Sequence, residues 1–192
     1  MNVATDSPRR QQLTQIAARL FMQQGFDRTT VRMLAEEMGI KSGSLFHHFA
    51  DKQEILCAVI EESTRNALVS ARRAMAEAVP TPRARLVALA RVHLETLHDD
   101  RHAHGVALYE WRRLNDEDRE HLTHLRDAYE ALWHQVIVEA RELGLVHGDP
   151  ATVTRFALGA LNWTARWYDP EGPMNTAQLA DELANMVLSP AS

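Results

Sequence analysis

The chain has 192 residues, an apolar content of 45% and a formal charge of −5. This length suits one large domain or a small module joined to a larger one, and the composition can bury a core. No apolar run approaches the roughly 18 to 20 residues of a membrane span, and the N-terminus lacks a signal peptide's apolar stretch, so we expect a soluble, cytoplasmic protein. The single cysteine, Cys57, excludes an intrachain disulfide and a thiolate-rich metal site. We interpret it as a core thiol, with redox sensing as the alternative.

Charge is distributed unevenly along the chain. Residues 1–55 carry seven Lys/Arg against six Asp/Glu, a balance of +1, and the remainder carries 14 against 20, a balance of −6. Phosphate contact depends on Lys and Arg, so the overall acidity taken alone argues against a nucleic-acid partner. A balance of +1 is weak counter-evidence, and the inference of DNA binding therefore depends on the residue pattern.

Helix start and stop signals recur along the chain, whereas sustained apolar/polar alternation and hairpin turns are missing from the sequence. We therefore predict an all-α fold of about nine helices. The first four are predicted over about 8–24 with Ser7 as cap, from the cap Thr30 to Gly39, from the cap Ser42, and from the cap Asp51 to about 78. The other five are predicted from the break at 80–82 to about 98, over 104–114, from 115 or 116 to about 144, from 149 to about 168, and from 176 to about 188.

The segment 30–49 has the spacing of a helix-turn-helix. Such a motif needs a small residue where its helices cross, a residue that tolerates left-handed backbone in the turn, and an apolar residue beneath the second helix. Ala35, Gly39 and Leu45 supply these residues in that order. A helical hairpin with no role in DNA binding is the alternative that the spacing leaves open.

From Thr30 the chain reads TVRMLAEEMGIKSGSLFHHFADKQEIL. This run resembles the signature of the TetR family, with its capping threonine, turn glycine, Gly-x-Leu-aromatic-x-His-Phe helix and following lysine. The resemblance implies a homodimer, with a DNA-binding head at 7–67, a larger ligand-binding and dimerisation domain at 68–192, and contacts between subunits through the eighth and ninth helices.

The DNA contacts expected from this resemblance fall into two groups. Residues at the start of the third helix should read base edges in the major groove, and the others should meet the phosphate backbone. The base-reading group is Lys41, Ser42, Gly43 and Ser44, and the backbone group is Thr29, Thr30, Arg32, His47, His48 and Lys52. Phe46 departs from the family, which usually has tyrosine there, so only packing or a thymine methyl contact is expected of it.

The predicted eighth helix carries a stripe of Phe156, Ala160, Trp163 and Trp167. Aromatic rings interspersed with arginine and asparagine are suited to an anionic ligand that has a flat or acyl portion. The segment LGALNWTARWYDPEGPMNTAQLAD also resembles a TetR subgroup that responds to acyl-CoA thioesters. The effector-binding residues expected are Trp111, Arg112, Arg113, Asn162, Trp163, Arg166 and Trp167. The alternative is that the tryptophans are core or dimer contacts.

The sequence favours a regulator, with no cofactor, that an effector releases from a palindromic operator on double-stranded DNA. Alternatives are a sensor of another hydrophobic ligand or of a metal, since the chain has ten histidines, and a helical protein-interaction module. An enzyme is not expected, because the chain has no Gly-rich phosphate loop, nucleophile elbow or His-Glu-x-x-His pair.

Overall fold

The computed structural model describes residues 8–189, and within that range it contains α-helices, two short 3-10 turns and no strand. The all-α prediction is confirmed. The helices are α1 (Pro8–Gln24), α2 (Val31–Glu37), α3 (Ser42–Leu45), α4 (Lys52–Glu77), α5 (Pro82–Asp99), α6 (Arg101–Tyr109), α7 (Asp116–Glu142), α8 (Pro150–Trp163) and α9 (Thr176–Val187). The 3-10 turns are Trp111–Arg113 and Thr164–Arg166. None of the helices in the described range is both long and apolar enough to cross a membrane.

The described residues form two compact units. The first unit contains the chain up to residue 64 together with 100–123, and the second contains 65–99 together with the chain from residue 124. The first unit thus contains α1, α2, α3 and the start of α4. It also contains α6, the 111–113 turn and the start of α7. The functional boundary expected at 67/68 remains a prediction, since compactness alone does not define which residues bind DNA or ligand.

The core of the first unit forms where α1 meets α2 and α6. Leu13, Ala17 and Phe21 lie on one face of α1 and are buried. Gly105 of α6 faces Met22 so closely that an added Cβ would lie 2.6 Å from the methionine sulfur. This close approach lets α6 pack directly against α1, the helix that supports the predicted helix-turn-helix.

The second unit is built around α5, which packs against α8 and α9. Trp133 of α7 is fully buried in its core, together with Leu86 and Leu94 of α5 and Ala180 of α9. Leu86 and Leu94 lie about two turns apart on one face of α5, and burial of such apolar side chains is the dominant favourable contribution to folding.

Helix starts agree with the predicted capping residues where the cap is a local signal. Thr30 accepts a hydrogen bond from the Met33 amide, Asp51 accepts one from the Glu54 amide, and Asn115 accepts one from the Asp118 amide. The predicted cap Ser7 lies outside the described residues. In the capping box predicted at α4, the Glu54 carboxylate accepts from the Ala50 amide, one residue before the cap.

Three helices have boundaries that differ from the predicted ones. Ser42 is the first residue of α3, and the cap position belongs to Lys41, whose side chain makes no capping bond. The sixth helix begins at Arg101 instead of 104, because Asp100 accepts a hydrogen bond from the Ala103 amide. It ends at Tyr109 instead of 114, before the 111–113 turn. The eighth ends at Trp163 instead of near 168, where the backbone tightens into the 164–166 turn.

Candidate DNA-binding site

The turn between α2 and α3 has the left-handed geometry that the motif requires. Gly39 has φ +67°, its amide donates to the Glu36 carbonyl at 3.1 Å, and the Ile40 amide donates to the Ala35 carbonyl at 3.0 Å. This pair of bonds is the Schellman arrangement, which ends a helix on a glycine and turns the chain sharply. The sequence prediction of two helices separated at Gly39 is confirmed.

The inner face of the motif is apolar and closely packed. Leu34, Ala35, Leu45 and Phe49 are all at most 1% exposed. With Leu45 fixed inward, the residues just before it on α3 are directed to the surface. Ala35 and Leu45 therefore have the positions that their spacing predicts.

The four residues expected to read bases are accessible. Lys41, Ser42 and Gly43 are exposed, and Ser44 is half-buried. They lie at the start of α3, the position from which helix-turn-helix proteins contact base edges.

The residues that follow α3 continue this surface. Phe46 is 52% exposed, His47 is exposed and His48 is half-buried. Residues 46–48 form a turn in which the His48 amide donates to the Leu45 carbonyl at 2.9 Å. The exposed ring leaves the predicted contact with a thymine methyl sterically accessible, and that contact remains a prediction.

Two further predicted residues border the start of α2. Thr30 is exposed and caps this helix. Arg32 is exposed and pairs with Glu36 at 2.7 Å, four residues along the helix. Exposed ion pairs of this kind are weak and screened by salt, so a phosphate can readily take the place of the carboxylate.

Thr29 and Lys52 occupy internal positions that the sequence did not suggest. Thr29 is fully buried, and its hydroxyl donates to the Gly25 carbonyl at 3.0 Å. The Lys52 ammonium donates to the carbonyl oxygens of Phe26 and Thr29, each at 2.9 Å. The Thr29 side chain is therefore inaccessible to phosphate, and Lys52 already has two partners within the protein.

Arg10 belongs to this site, although the sequence analysis did not single it out. Its Nη1 donates to the His48 carbonyl at 2.6 Å, and its guanidinium carbon lies 3.8 Å from the centroid of the Phe49 ring. Arg10 thereby connects α1 to the end of the recognition segment. The pairing spans 38 residues, so no local signal in the sequence could have revealed it.

The expected effector residues are divided between the two units. Trp111, Arg112 and Arg113 lie in the 3-10 turn of the first unit, where the Arg113 guanidinium pairs with Asp27 at 2.7 Å. Asn162, Trp163, Arg166 and Trp167 lie in the second unit. Trp163 and Trp167 are 61% and 54% exposed, and the Arg166 guanidinium carbon lies 5.8 Å from the Trp163 ring centroid, within cation–π range.

The continuous stripe predicted along the eighth helix is wrong for Trp167. Because α8 ends at Trp163, Trp167 follows the 164–166 turn and leaves the helical register of Phe156, Ala160 and Trp163. The Thr164 hydroxyl donates to the Leu161 carbonyl at 2.7 Å, a local bond that accompanies the change in backbone.

The second unit contains a polar cluster that the sequence analysis missed. The His93 side chain is 3% exposed; its Nδ1 lies 2.7 Å from the Tyr129 hydroxyl and its Nε2 lies 3.1 Å from Asn162 Oδ1. A neutral imidazole that accepts from Tyr129 and donates to Asn162 satisfies both contacts. Burial raises the pKa of the Tyr129 hydroxyl well above its usual value, and the nearby Trp133 indole offsets part of that rise.

Cys57 is half-buried and lies among carboxylates. Burial first, and then the carboxylate of Asp118, raise the pKa of its thiol to about 12. Since the thiolate is the reactive form, this environment opposes the redox-sensing alternative. Within residues 8–189, no three His, Cys, Asp or Glu side chains come together as metal ligands.

Comparison with known proteins agrees with this geometry. Residues 13–59 match the family model of bacterial regulatory proteins of the tetR family, and residues 79–190 match the tetracyclin repressor-like C-terminal domain. The transcriptional repressor KstR2 of Mycolicibacterium smegmatis is 30% identical, over 97% of this chain and 94% of its own.

Solved structures share this fold. The superantigen PfiT is 43% identical and has a TM-score of 0.79, over 95% of this chain and 97% of its own. The ketosteroid regulator KstR2 of Mycobacterium tuberculosis is 25% identical and has a TM-score of 0.84, over 96% of this chain and 97% of its own. The chain therefore belongs to the TetR family of DNA-binding transcriptional regulators.

Proposed function

We propose that this protein is a homodimeric repressor that binds a near-palindromic operator through Lys41–Ser44 and leaves it when a small effector binds. The observation that carries the DNA contact is the outward position of these four residues at the start of α3, with Leu45 buried beneath them. Two such helices in successive major grooves lie about 34–36 Å apart, which requires a two-fold operator.

The test begins with selection of bound sequences from random double-stranded DNA. Operator affinity is then compared for wild type, Lys41→Ala and Arg72→Ala. Arg72 is exposed on α4 outside the motif, so its replacement removes the same charge without touching the proposed surface. Lys41→Ala should lose about 1–3 kcal/mol and Arg72→Ala little. Enrichment of no sequence would instead favour a helical protein-interaction module.

The dimer contact is proposed on α8 and α9. Phe156 of α8 is 74% exposed, and Met186 of α9 is 80% exposed. Large apolar side chains that remain exposed on a monomer are typical of association surfaces. Gly159 and Ala160, also exposed, follow Phe156 on α8 and would allow a partner helix to approach closely.

The effector is proposed to be an acyl-CoA thioester bound at Asn162–Trp167. Arg166 beside the exposed Trp163 ring combines a cation for phosphate with an aromatic face for the adenine or acyl portion. The naming of a KstR2 relative as a ketosteroid regulator adds steroid-derived thioesters to the candidates. Trp111, Arg112 and Arg113 remain predicted contacts, and the Asp27 pair would compete with a phosphate for Arg113.

Thermal unfolding in the presence of acyl-CoAs of increasing chain length, of free steroids and of zinc tests this assignment. We expect a shift with one acyl-CoA class that Arg166→Ala abolishes and Arg141→Ala retains, since Arg141 is an exposed arginine elsewhere in the second unit. A shift with steroid or zinc alone would identify another class of sensor. Release requires the effector to favour a dimer whose recognition helices no longer match the operator spacing. A preference of about 2–3 kcal/mol for that state over the operator-binding one would release most of the operator.

The superantigen activity named for PfiT is a property of that protein. For this chain we propose DNA binding, because the exposed polar surface at 41–44 is supported by a buried apolar face, as a groove-reading motif requires.

A further inference from the structure

The turn that joins α1 to α2 is held from two sides by side chains distant in sequence. The Phe26 amide donates to Glu110 Oε1 at 3.2 Å, across 84 residues. The Phe26 carbonyl accepts from Lys52 Nζ at 2.9 Å, and the same ammonium lies 4.2 Å from the Phe26 ring centroid. Both backbone polar groups of one buried residue are thus bound by charged side chains.

Glu110 is itself held by further contacts. The Glu110 side chain is 17% exposed, and its second oxygen lies 3.9 Å from Arg113 Nε. The Arg113 guanidinium pairs with Asp27 at 2.7 Å, and the Arg113 carbonyl accepts from Gln53 Nε2 at 2.8 Å. The segment after α6 is therefore attached both to the 25–29 turn and to the start of α4.

This turn sets where α2 begins. Lys52 also binds the Thr29 carbonyl, the Thr29 hydroxyl binds the Gly25 carbonyl, and Thr30 caps α2. A change in the turn would move the first turn of α2, and α3 with it through their shared buried face. The contacts of Glu110 and Lys52 therefore act on the orientation of the recognition segment.

We propose that Glu110 and Lys52 are positioning residues of the DNA-binding motif, acting through the Phe26 peptide and not through direct phosphate contact. This inference rests on the proposed operator binding. It assigns a role in DNA affinity to an acidic residue that lies outside the helix-turn-helix by more than 60 positions. It also assigns Lys52 a role different from the phosphate contact that the sequence predicts.

Glu110 gives a test in which the sign of the effect is decisive. If its charge alone mattered, Glu110→Leu would bind the DNA polyanion more tightly, because a negative charge is removed. As a positioning residue, Glu110→Leu should bind operator about five- to tenfold more weakly, since a buried amide loses its acceptor. Glu110→Gln keeps an acceptor oxygen and should bind like wild type. Glu117→Leu, at an exposed acidic position on α7 in the same unit, is the control that removes the same charge, and it should bind operator at least as tightly as wild type.

Lys52 gives a second test that uses salt dependence. A lysine that neutralises a phosphate contributes about 1 to the slope of log affinity against log salt. Lys52→Met should lower operator affinity about tenfold at every salt concentration and leave that slope at the wild-type value. A slope reduced by about 1 would show that Lys52 contacts phosphate and would overturn its part of the proposal.

All affinities are measured by titration of full-length protein with the operator selected by wild type, and helical content is checked by circular dichroism. If Glu110→Leu fails to fold, Asp27→Asn takes its place. This substitution at an exposed position also removes a negative charge, and it weakens the ion pair that connects Arg113 to the 25–29 turn. It should bind about twofold more weakly. Equal or tighter binding by the folded variant overturns the inference. The proposed function fails separately, if wild type selects no DNA or Lys41→Ala binds as wild type does.

Discussion

The left-handed turn at Gly39 permits a stability prediction whose sign depends on one backbone angle. Gly39 has φ +67°, and a Cβ added there would meet no atom within 4 Å. The cost of Gly39→Ala therefore comes from the backbone alone, about 1–2 kcal/mol for an L-residue in this conformation. Gly39→Asn should cost less, because asparagine tolerates left-handed backbone.

Gly43 is the matched control, only four residues away. It lies within α3, its φ is not positive, and an added Cβ there would also meet no atom within 4 Å. Gly43→Ala should therefore stabilise the protein by about 0.5–1 kcal/mol, because alanine loses less backbone entropy in a helix.

The assay is urea unfolding followed by circular dichroism at one fixed protein concentration, since a dimer's apparent stability depends on concentration. From the most to the least stable protein, the predicted order of unfolding free energy is Gly43→Ala, wild type, Gly39→Asn and Gly39→Ala. A Gly39→Ala protein as stable as wild type would show that residue 39 does not adopt the left-handed turn, and the helix-turn-helix geometry derived from it would be refuted.

Three other predictions concern separate features. Because the pKa of the Cys57 thiol is raised to about 12, about one part in ten thousand of it should be thiolate at pH 8. A thiol reagent should therefore label Cys57 only after unfolding, and labelling of the native protein at the rate of free cysteine would contradict this. Trp133→Ala should cost about 3–5 kcal/mol in urea unfolding because the side chain is fully buried, and a loss below about 1 kcal/mol would contradict the core packing. Phe156→Glu should convert the dimer to monomer in sedimentation, whereas Leu143→Glu, at another largely exposed apolar site outside α8 and α9, should leave it dimeric.

The parts of the fold that could be predicted are those encoded by local signals. Thr30, Asp51 and Asn115 mark helix starts because a cap bonds to backbone within three residues. Gly39 marks the end of a helix for the same reason, because the bonds that close the helix there span at most five residues. The outward placement of Lys41–Ser44 followed from the inward placement of Leu45.

The parts that could not be predicted depend on distant or subtle contacts. The end of α8 at Trp163 has no glycine or proline to mark it, and the break coincides with a threonine hydroxyl that bonds to the preceding turn. The internal role of Lys52 depends on carbonyls more than 20 residues away. Glu110 could not be connected to the DNA-binding motif before the packing of α6 against α1 was known.

The most direct test of operator binding by α3 is protection of guanine N7 from methylation, because this atom lies in the major groove. On the selected operator, the dimer should protect guanines in two patches centred about 10–10.5 base pairs apart on one side of the duplex, and Lys41→Ala should weaken both patches equally. Protection of adenine N3 in the minor groove, or a single patch without two-fold symmetry, would contradict the placement of residues 41–44 in successive major grooves.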